Sequence, residues 1–273
     1  MIEKFENYLR SIKGYSDNTV MAYCKDIRIF AKWMKNHKEN ARWSTITRDD
    51  IDDYVTELVK AGKKPATTNR HLASIASFYN MMKRDGIDIE NPCKYESRRK
   101  RVETMPNTIP AAQLKQAYDH ALGVTKLIIG LLATTGARIQ EILDLNWEDI
   151  NFNENSIIVN GKGRRERKLY TKKDIIDPLR KVSEYRPQTG RMFNLNQRTV
   201  RYDIYQALRP YCTARQLSPH AIRHSFATTA ANNGIPTSTL AQILGHKHLE
   251  TTQRYIDMRQ APIEKAMKQG ALF

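Results

Sequence analysis

Cysteine is scarce in this chain. Cys24, Cys93 and Cys212 are the three among 273 residues, and no two stand at C-x-x-C spacing. An odd, dispersed set argues against a disulfide framework and fits a reducing compartment. Long apolar runs are also missing. The longest, Leu127 to Ala133, falls well short of the roughly 18 residues a membrane-crossing helix needs. The first residues, Met1-Ile2-Glu3-Lys4-Phe5, begin an amphipathic pattern and lack the apolar core of a signal peptide. A cytoplasmic protein with no membrane partner is the expectation. Acidic residues are in deficit: 29 against 45 basic ones, for a net charge of +16. No helix near a terminus sets a Lys/Arg face against a bulky apolar one, which disfavours a membrane-surface role.

The positive excess is shared along the chain. Residues 1–105 carry net +6 and residues 106–273 net +10, so no single basic tail accounts for it. A clamp that grips a polyanion from two sides has this distribution. A well-solvated basic surface is the bland alternative. At 273 residues the chain can bury two modest cores.

Residues 1–96 read as a helical domain. Val20, Tyr23, Ile27, Phe30 and Met34 recur every three to four residues, after Ser16-Asp17 as N-cap. Thr47-Arg48-Asp49-Asp50 resembles a capping box, and Ile51, Tyr54, Val55, Leu58 and Val59 follow on one face. Gly62 closes that helix. Pro65 opens the next, with Leu72, Ile75, Phe78, Tyr79 and Met82 as its core face and Gly86 at its end. Four helices with short loops predict a compact all-α module. Residues 97–110 hold Ser97-Arg98-Arg99-Lys100-Arg101, then Pro106 and Pro110, which reads as a basic interdomain linker. Residues 111–273 resume a helical pattern, interrupted between about Asp149 and Thr171. There Ser156–Asn160 and Arg167–Thr171 are β-rich and flank Gly161-Lys162-Gly163-Arg164-Arg165-Glu166. That is the pattern of a hairpin with a basic, glycine-bearing tip. The fold class expected is mainly α with a small β-sheet.

The chemistry sits in the second part. Thr135-Gly136-Ala137-Arg138-Ile139-Gln140-Glu141 places a lone arginine just after a glycine break. His220-Ala221-Ile222-Arg223-His224, Leu244-Gly245-His246 and Tyr255 follow, with Tyr255 nine residues after His246. Arginine forks match the non-bridging oxygens of a phosphate, and a tyrosine can hold a phosphoryl group as an ester. Singly, each has an ordinary reading: surface arginine, solvated turn lysine, core histidine, half-buried tyrosine. The histidines also permit a metal site, because His220/His224 and His246/His248 have ligand-like spacing. No cysteine or acidic ligand lies beside them, which disfavours zinc.

Together, in this order and spacing, these motifs resemble the signature of the tyrosine recombinase (phage integrase) family, in its short two-domain form similar to Xer-like recombinases. The resemblance spans nearly the whole chain. It implies a SAM-like core-binding domain followed by an α+β catalytic domain. It also implies site-specific cleavage and rejoining of double-stranded DNA through a 3′-phosphotyrosyl intermediate, with no metal or nucleotide cofactor. The site residues implied are Arg138 and Arg223 on the phosphate, His220 and His246 for proton handling and phosphate hydrogen bonding, Lys162 as general acid, and Tyr255 as nucleophile. Glu141, one turn after Arg138, would hold that guanidinium in position. His224 and His248 are then packing or supporting residues. Arg164, Arg165, Arg167 and Lys168 compete with Lys162 for DNA contact. The stretch Ala261–Phe273, with Ile263, Met267, Leu272 and Phe273, would dock into a neighbouring protomer of a DNA-bound homotetramer, with accessory proteins as further partners. Relaxation of DNA in the manner of a type IB topoisomerase, and a DNA-binding regulator without catalysis, are the alternatives.

Overall fold

The computed structural model describes residues 1–94, 107–161, 166–185, 188–246 and 249–257; within the last segment the side chains of Arg254, Ile256 and Asp257 are not described. The chain divides into two compact units, Met1–Glu103 and Thr104–Phe273.

The first unit is helical. Helix α1 (Ile2–Asn7) runs into a π-helical turn and is followed by α2 (Asp17–His37), α3 (Arg48–Lys60) and α4 (Pro65–Arg84). The start of α3 is a true capping box. The Asp50 amide donates to Thr47 Oγ1 at 3.3 Å, and Asp50 Oδ2 accepts from the Thr47 amide at 2.7 Å, so each end satisfies an orphan group of the other. Ser16 holds the N-cap position of α2 but its hydroxyl meets Thr19 Oγ1 at 3.0 Å instead of a backbone amide. The expected core faces of α2 and α4 are buried, including Ile27, Phe30, Leu72, Ile75, Phe78, Tyr79 and Met82. On α3, Ile51, Tyr54 and Leu58 are buried whereas Val59 stays exposed. Ile51, Tyr54 and Leu58 keep the 3.6-residue period, and Val59 is rotated past the edge of that stripe.

A buried polar network that sequence periodicity did not announce crosses this unit. Asp26 is fully buried. It accepts from Ser74 Oγ at 2.9 Å and faces Arg70 Nη2 at 3.1 Å and His71 Nε2 at 3.3 Å. On its other side, His71 Nδ1 meets the Tyr54 hydroxyl at 2.8 Å. Burial pushes the His71 pKa down, which favours the neutral ring here.

The second unit is built round α6. Helices α5 (Ala111–His120), α6 (Gly123–Thr135) and α7 (Ile139–Leu143) lead into a three-stranded antiparallel sheet of β1 (Ile150–Asn151), β2 (Ser156–Asn160) and β3 (Glu166–Tyr170). Then come α8 (Lys173–Tyr185), α9 (Gln197–Leu208), α10 (Pro219–Asn232), α11 (Thr237–Leu244) and α12 (Glu250–Asp257). The apolar run in α6 is explained by its place, since α6 touches α5, α7, α8, α9 and α10. A helix surrounded on most sides is apolar on most sides. The hairpin expected from sequence is β2–β3, with Ile157 opposite Leu169 and Val159 opposite Arg167. The short β1 was not foreseen, because two residues carry no readable period. Residues Asn107 to Pro110 pack onto this unit: Asn107 and Gln216 exchange two hydrogen bonds, and the amide of buried Ile109 donates to Ser225 Oγ at 2.7 Å. No helix among the described residues is long and apolar enough to cross a membrane. Cys24, Cys93 and Cys212 are buried thiols.

Candidate active site

Helix α11 ends in three carbonyls, and a different arginine binds each. Arg167 Nε donates to Ile243 O at 2.9 Å, Arg223 Nη2 to Leu244 O at 2.6 Å, and Arg138 Nη2 to Gly245 O at 3.0 Å. The last carbonyls of a helix lack intrahelical partners and form the negative end of its dipole. A helix end of only eight residues thus gathers three positive groups from three other elements. Glycine makes the arrangement possible at two points. Gly245 caps α11 in the left-handed region at φ 62°, and a Cβ there would sit 2.9 Å from Arg167 Nη1. Gly136 caps α6 at φ 63°, and a Cβ there would lie 2.3 Å from the Phe226 ring.

Arg138 is the N-cap of α7. Glu141 accepts from the Arg138 amide at 2.7 Å and from Arg138 Nη1 at 2.8 Å. The same buried carboxylate takes two bonds from Arg167, at 3.1 and 2.6 Å. Burial alone would raise the Glu141 pKa. The Arg167 and Arg138 bonds outweigh it and hold the carboxyl below its usual range. Glu141 thus bonds both the backbone and the guanidinium of Arg138. Arg167, read as a DNA-contact competitor, is instead committed to Glu141 and the end of α11.

Arg223 is almost fully buried on α10. Besides Leu244 O, it donates to Gly136 O at 2.8 Å and meets His246 Nε2 at 3.1 Å. Burial and the nearby Arg138 charge lower its pKa to about 10, so it stays cationic at neutral pH. Because an arginine can only donate, His246 Nε2 must accept. The imidazole proton therefore sits on Nδ1, which donates to Thr252 Oγ1 at 2.8 Å. Burial, then Arg223 and Arg138, push the His246 pKa down to about 4. His220 stands at the start of α10, and partial burial of its ring and the Arg223 charge lower its pKa as well.

Tyr255 lies on α12 with its ring among Ala227, Ala230, Ala231, Leu240 and Leu244. Alanines along α10 let α12 approach closely enough to bury the ring. Its hydroxyl lies 2.6 Å from His224 Nδ1, and His224 packs edge-on against His220 with ring centres 4.3 Å apart. Thus Arg223 bonds His246 directly, Arg138 and Arg223 bond adjacent carbonyls at the end of α11, and His220 and Tyr255 lie on the same helical framework. Sequence reading missed Thr252 as the partner of His246 and gave His224 only a supporting place. The one available signal for Thr252 was its position one helical turn before Tyr255. Lys162, Gly163, Arg164, Arg165, His248 and the stretch Ala261–Phe273 lie outside the described residues.

A guanidinium has five N–H groups, so arginines anchored through two or three of them can still fork onto an anion. The site therefore pairs a phosphate-sized demand for negative charge with an adjacent phenol. Comparison with known proteins points the same way. Residues 107–261 match the phage integrase family, and residues 2–86 match the phage integrase N-terminal SAM-like domain. The tyrosine recombinase XerD of Oceanobacillus iheyensis is 28% identical over 96% of this chain and 95% of its own length. The tyrosine recombinase XerC of Pediococcus pentosaceus is 27% identical over 98% of this chain and 96% of its own length. In fold, the chain resembles the XerH site-specific recombinase solved on palindromic difH substrate after cleavage. The TM-score is 0.77 at 15% identity, covering 98% of this chain and 84% of that one.

Proposed function

The chain belongs to the phage integrase family, and from that premise we propose how its residues carry out site-specific recombination of double-stranded DNA. The enzyme cleaves and rejoins DNA strands as a tyrosine recombinase. The observation that carries the residue assignment is the convergence of Arg138, Arg223 and His246 on the end of α11, with Tyr255 seated on the adjoining α10.

In this reading the scissile phosphate binds between the guanidinium groups of Arg138 and Arg223, which neutralise the charge developing on its non-bridging oxygens. The Tyr255 hydroxyl oxygen attacks phosphorus. The bond to the 5′ oxygen breaks, leaving a 3′-phosphotyrosyl link and a free 5′ hydroxyl. Lys162 protonates the departing oxygen, a role worth roughly 10²–10⁴-fold for an alkoxide leaving group. His246 and His220 hydrogen-bond the phosphate and move protons. Attack by a 5′ hydroxyl from the partner strand reverses the step and completes exchange. None of these steps calls for a metal or nucleotide cofactor. Residues 1–96 act as a DNA-binding domain, 97–110 as a basic linker and 111–273 as the catalytic domain. Four protomers assemble on paired sites through the segment after Tyr255, in the cytoplasm and with accessory proteins where the site arrangement requires them.

The test is covalent trapping on nicked fragments tiling the DNA around the gene for this chain, without metal. Wild type should yield a protein–DNA adduct mapping to Tyr255, and Tyr255→Phe none. Sequence-specific binding with no adduct would instead favour the regulator reading.

A further inference from the structure

Attack by a tyrosine needs somewhere for its proton to go. An ordinary phenol has a pKa near ~10, so only ~0.1% is ionised at pH 7. Resting on the reaction above, we propose that His224 is the base that receives the Tyr255 proton. The hydroxyl oxygen of Tyr255 lies 2.6 Å from His224 Nδ1, well within the reach required of a general base. With the phenol donating to Nδ1, the ring proton sits on Nε2 and a lone pair is aimed at the nucleophile. The two other histidines of the cluster are placed differently. His246 has Nε2 engaged by Arg223 and Nδ1 by Thr252. His220 lies one turn nearer the start of α10 and packs against the His224 ring.

The helical framework fixes this pair. His220 and His224 are four residues apart on α10 and so share a face, and α12 packs across that face. The buried seat of Tyr255 limits the swing of its ring. The ionisable groups around His224 come from three elements: His220 on α10 and Tyr255 on α12 in direct contact, and His246 after α11 within electrostatic reach. Helix α6, the remaining neighbour, has Lys126 as its ionisable residue. Lys126 is tied to the Asp119 carbonyl at the start of α6, away from the Gly136 end that Arg223 binds.

The step balances. The proton moves from the Tyr255 hydroxyl to His224 Nδ1, the oxygen–phosphorus bond forms, and the bond from phosphorus to the 5′ oxygen breaks. That oxygen takes its proton from the separate acid assigned to Lys162. During rejoining a 5′ hydroxyl gives its proton to the now neutral Lys162 and attacks phosphorus, the bond to the Tyr255 oxygen breaks, and imidazolium His224 returns its proton to the departing phenolate.

The experiment compares wild type, Tyr255→Phe, His224→Asn and His224→Gln on the mapped cleavage site, using single-turnover adduct formation from pH 5.5 to 10. The asparagine variant keeps an acceptor near the Nδ1 position but has no basicity. Two substrates are used: a normal phosphodiester, and a 5′-bridging phosphorothiolate whose sulfur leaves without protonation. His224→Asn should bind DNA like wild type and form adduct on the order of 10²-fold more slowly at pH 7. That deficit should shrink toward pH 10 as the phenol ionises unaided, and the phosphorothiolate should not relieve it. Wild-type speed in the variants would overturn the assignment. So would rescue by the phosphorothiolate, which would place His224 on the leaving-group side, or an equal slowing at every pH, which would mean positioning alone. If the variants bind DNA poorly, the wild-type profile decides. A rate that falls as a histidine protonates supports the base, and a rate flat through that range overturns it. Absence of any wild-type adduct would remove the proposed reaction itself, an outcome distinct from all of these.

Discussion

Glu141 and Arg167 form a two-point ion pair, with Nη2–Oε2 at 2.6 Å and Nη1–Oε1 at 3.1 Å, on a carboxylate that is itself buried. The pair ties β3 to α7, and Arg167 extends the tie to α11 through Ile243 O. Arg138 is held by the same carboxylate. Arg167→Met should therefore do two things. It strips a partner from a buried carboxylate, which costs about 3–5 kcal/mol by analogy with other broken buried pairs, and it loosens the end of α11. Urea unfolding should show the loss, and adduct formation should fall with it. Arg167→Lys should recover part of the stability and little of the activity, because a point charge cannot reproduce the fork.

His246 makes the DNA-free protein sensitive to acid. Its folded pKa of about 4 lies below the ordinary histidine value of ~6.5, so the unfolded chain binds more protons between those limits. Stability from this group is complete above the unfolded value and is lost as pH falls toward 4. Glu141, also depressed, adds a loss at still lower pH, below the ordinary carboxylate range. The thermal midpoint should drop between pH 6.5 and 4.5 in wild type, and the slope over that window should flatten in His246→Gln.

Phosphate should reverse the sign for His246. Its Nε2 accepts from Arg223 in this structure, so donating to a phosphate oxygen requires a proton there. The negative charge of the phosphodiester raises the histidine pKa, so DNA binding takes up a proton between the free and bound values. Affinity contributed this way is present at low pH and lost as pH rises through the bound value. Calorimetry of Tyr255→Phe with cleavage-site DNA near pH 5.5, in buffers of different ionisation enthalpy, should show net proton uptake. His246→Gln should abolish it.

Much of this was legible in sequence. The hairpin, the capping box at Thr47 and the core faces of α2 and α4 follow from local periodicity and cap chemistry, which depend on near neighbours in the chain. The partners that organise the site do not. Arg167 and Glu141 are 26 residues apart, and Arg223 reaches Gly136 across 87. No period links such positions, so Arg167 looked like one more basic residue beside a basic tip. Asp26 was hidden for the same reason. It stands on an apolar face of α2, and its partners Arg70, His71 and Ser74 come from α4.

Gly136 and Gly245 should tolerate alanine differently. Both have positive φ, near 63° and 62°, which costs an alanine about 1–2 kcal/mol. At Gly136 the added Cβ also meets the packed Phe226 ring at 2.3 Å, and forcing that contact adds about 1–3 kcal/mol. At Gly245 it meets the Arg167 guanidinium at 2.9 Å, which can shift at the expense of its bonds. Gly136→Ala should lower the urea midpoint more, while Gly245→Ala should lose more activity per unit of stability lost.

Thr252 offers the narrowest test of the site. It is fully buried, and its Oγ1 receives the Nδ1 proton of His246 at 2.8 Å. Valine fills nearly the same volume but cannot accept. Thr252→Val would leave that N–H unsatisfied at a cost of about 1–3 kcal/mol. Moving the proton to Nε2 would set it against the Arg223 donor, so neither tautomer is comfortable. The ring should then turn away from Arg223. Nitrogen-15 NMR of the His246 ring should show mixed tautomers in Thr252→Val, against Nδ1–H alone in wild type. Adduct formation should fall while Tyr255 and both arginines remain in place. Thr252→Ser, which keeps the hydroxyl, should restore a single tautomer and most of the rate. A serine variant as slow as the valine one would show that the methyl group's packing, rather than the hydrogen bond, is what His246 requires.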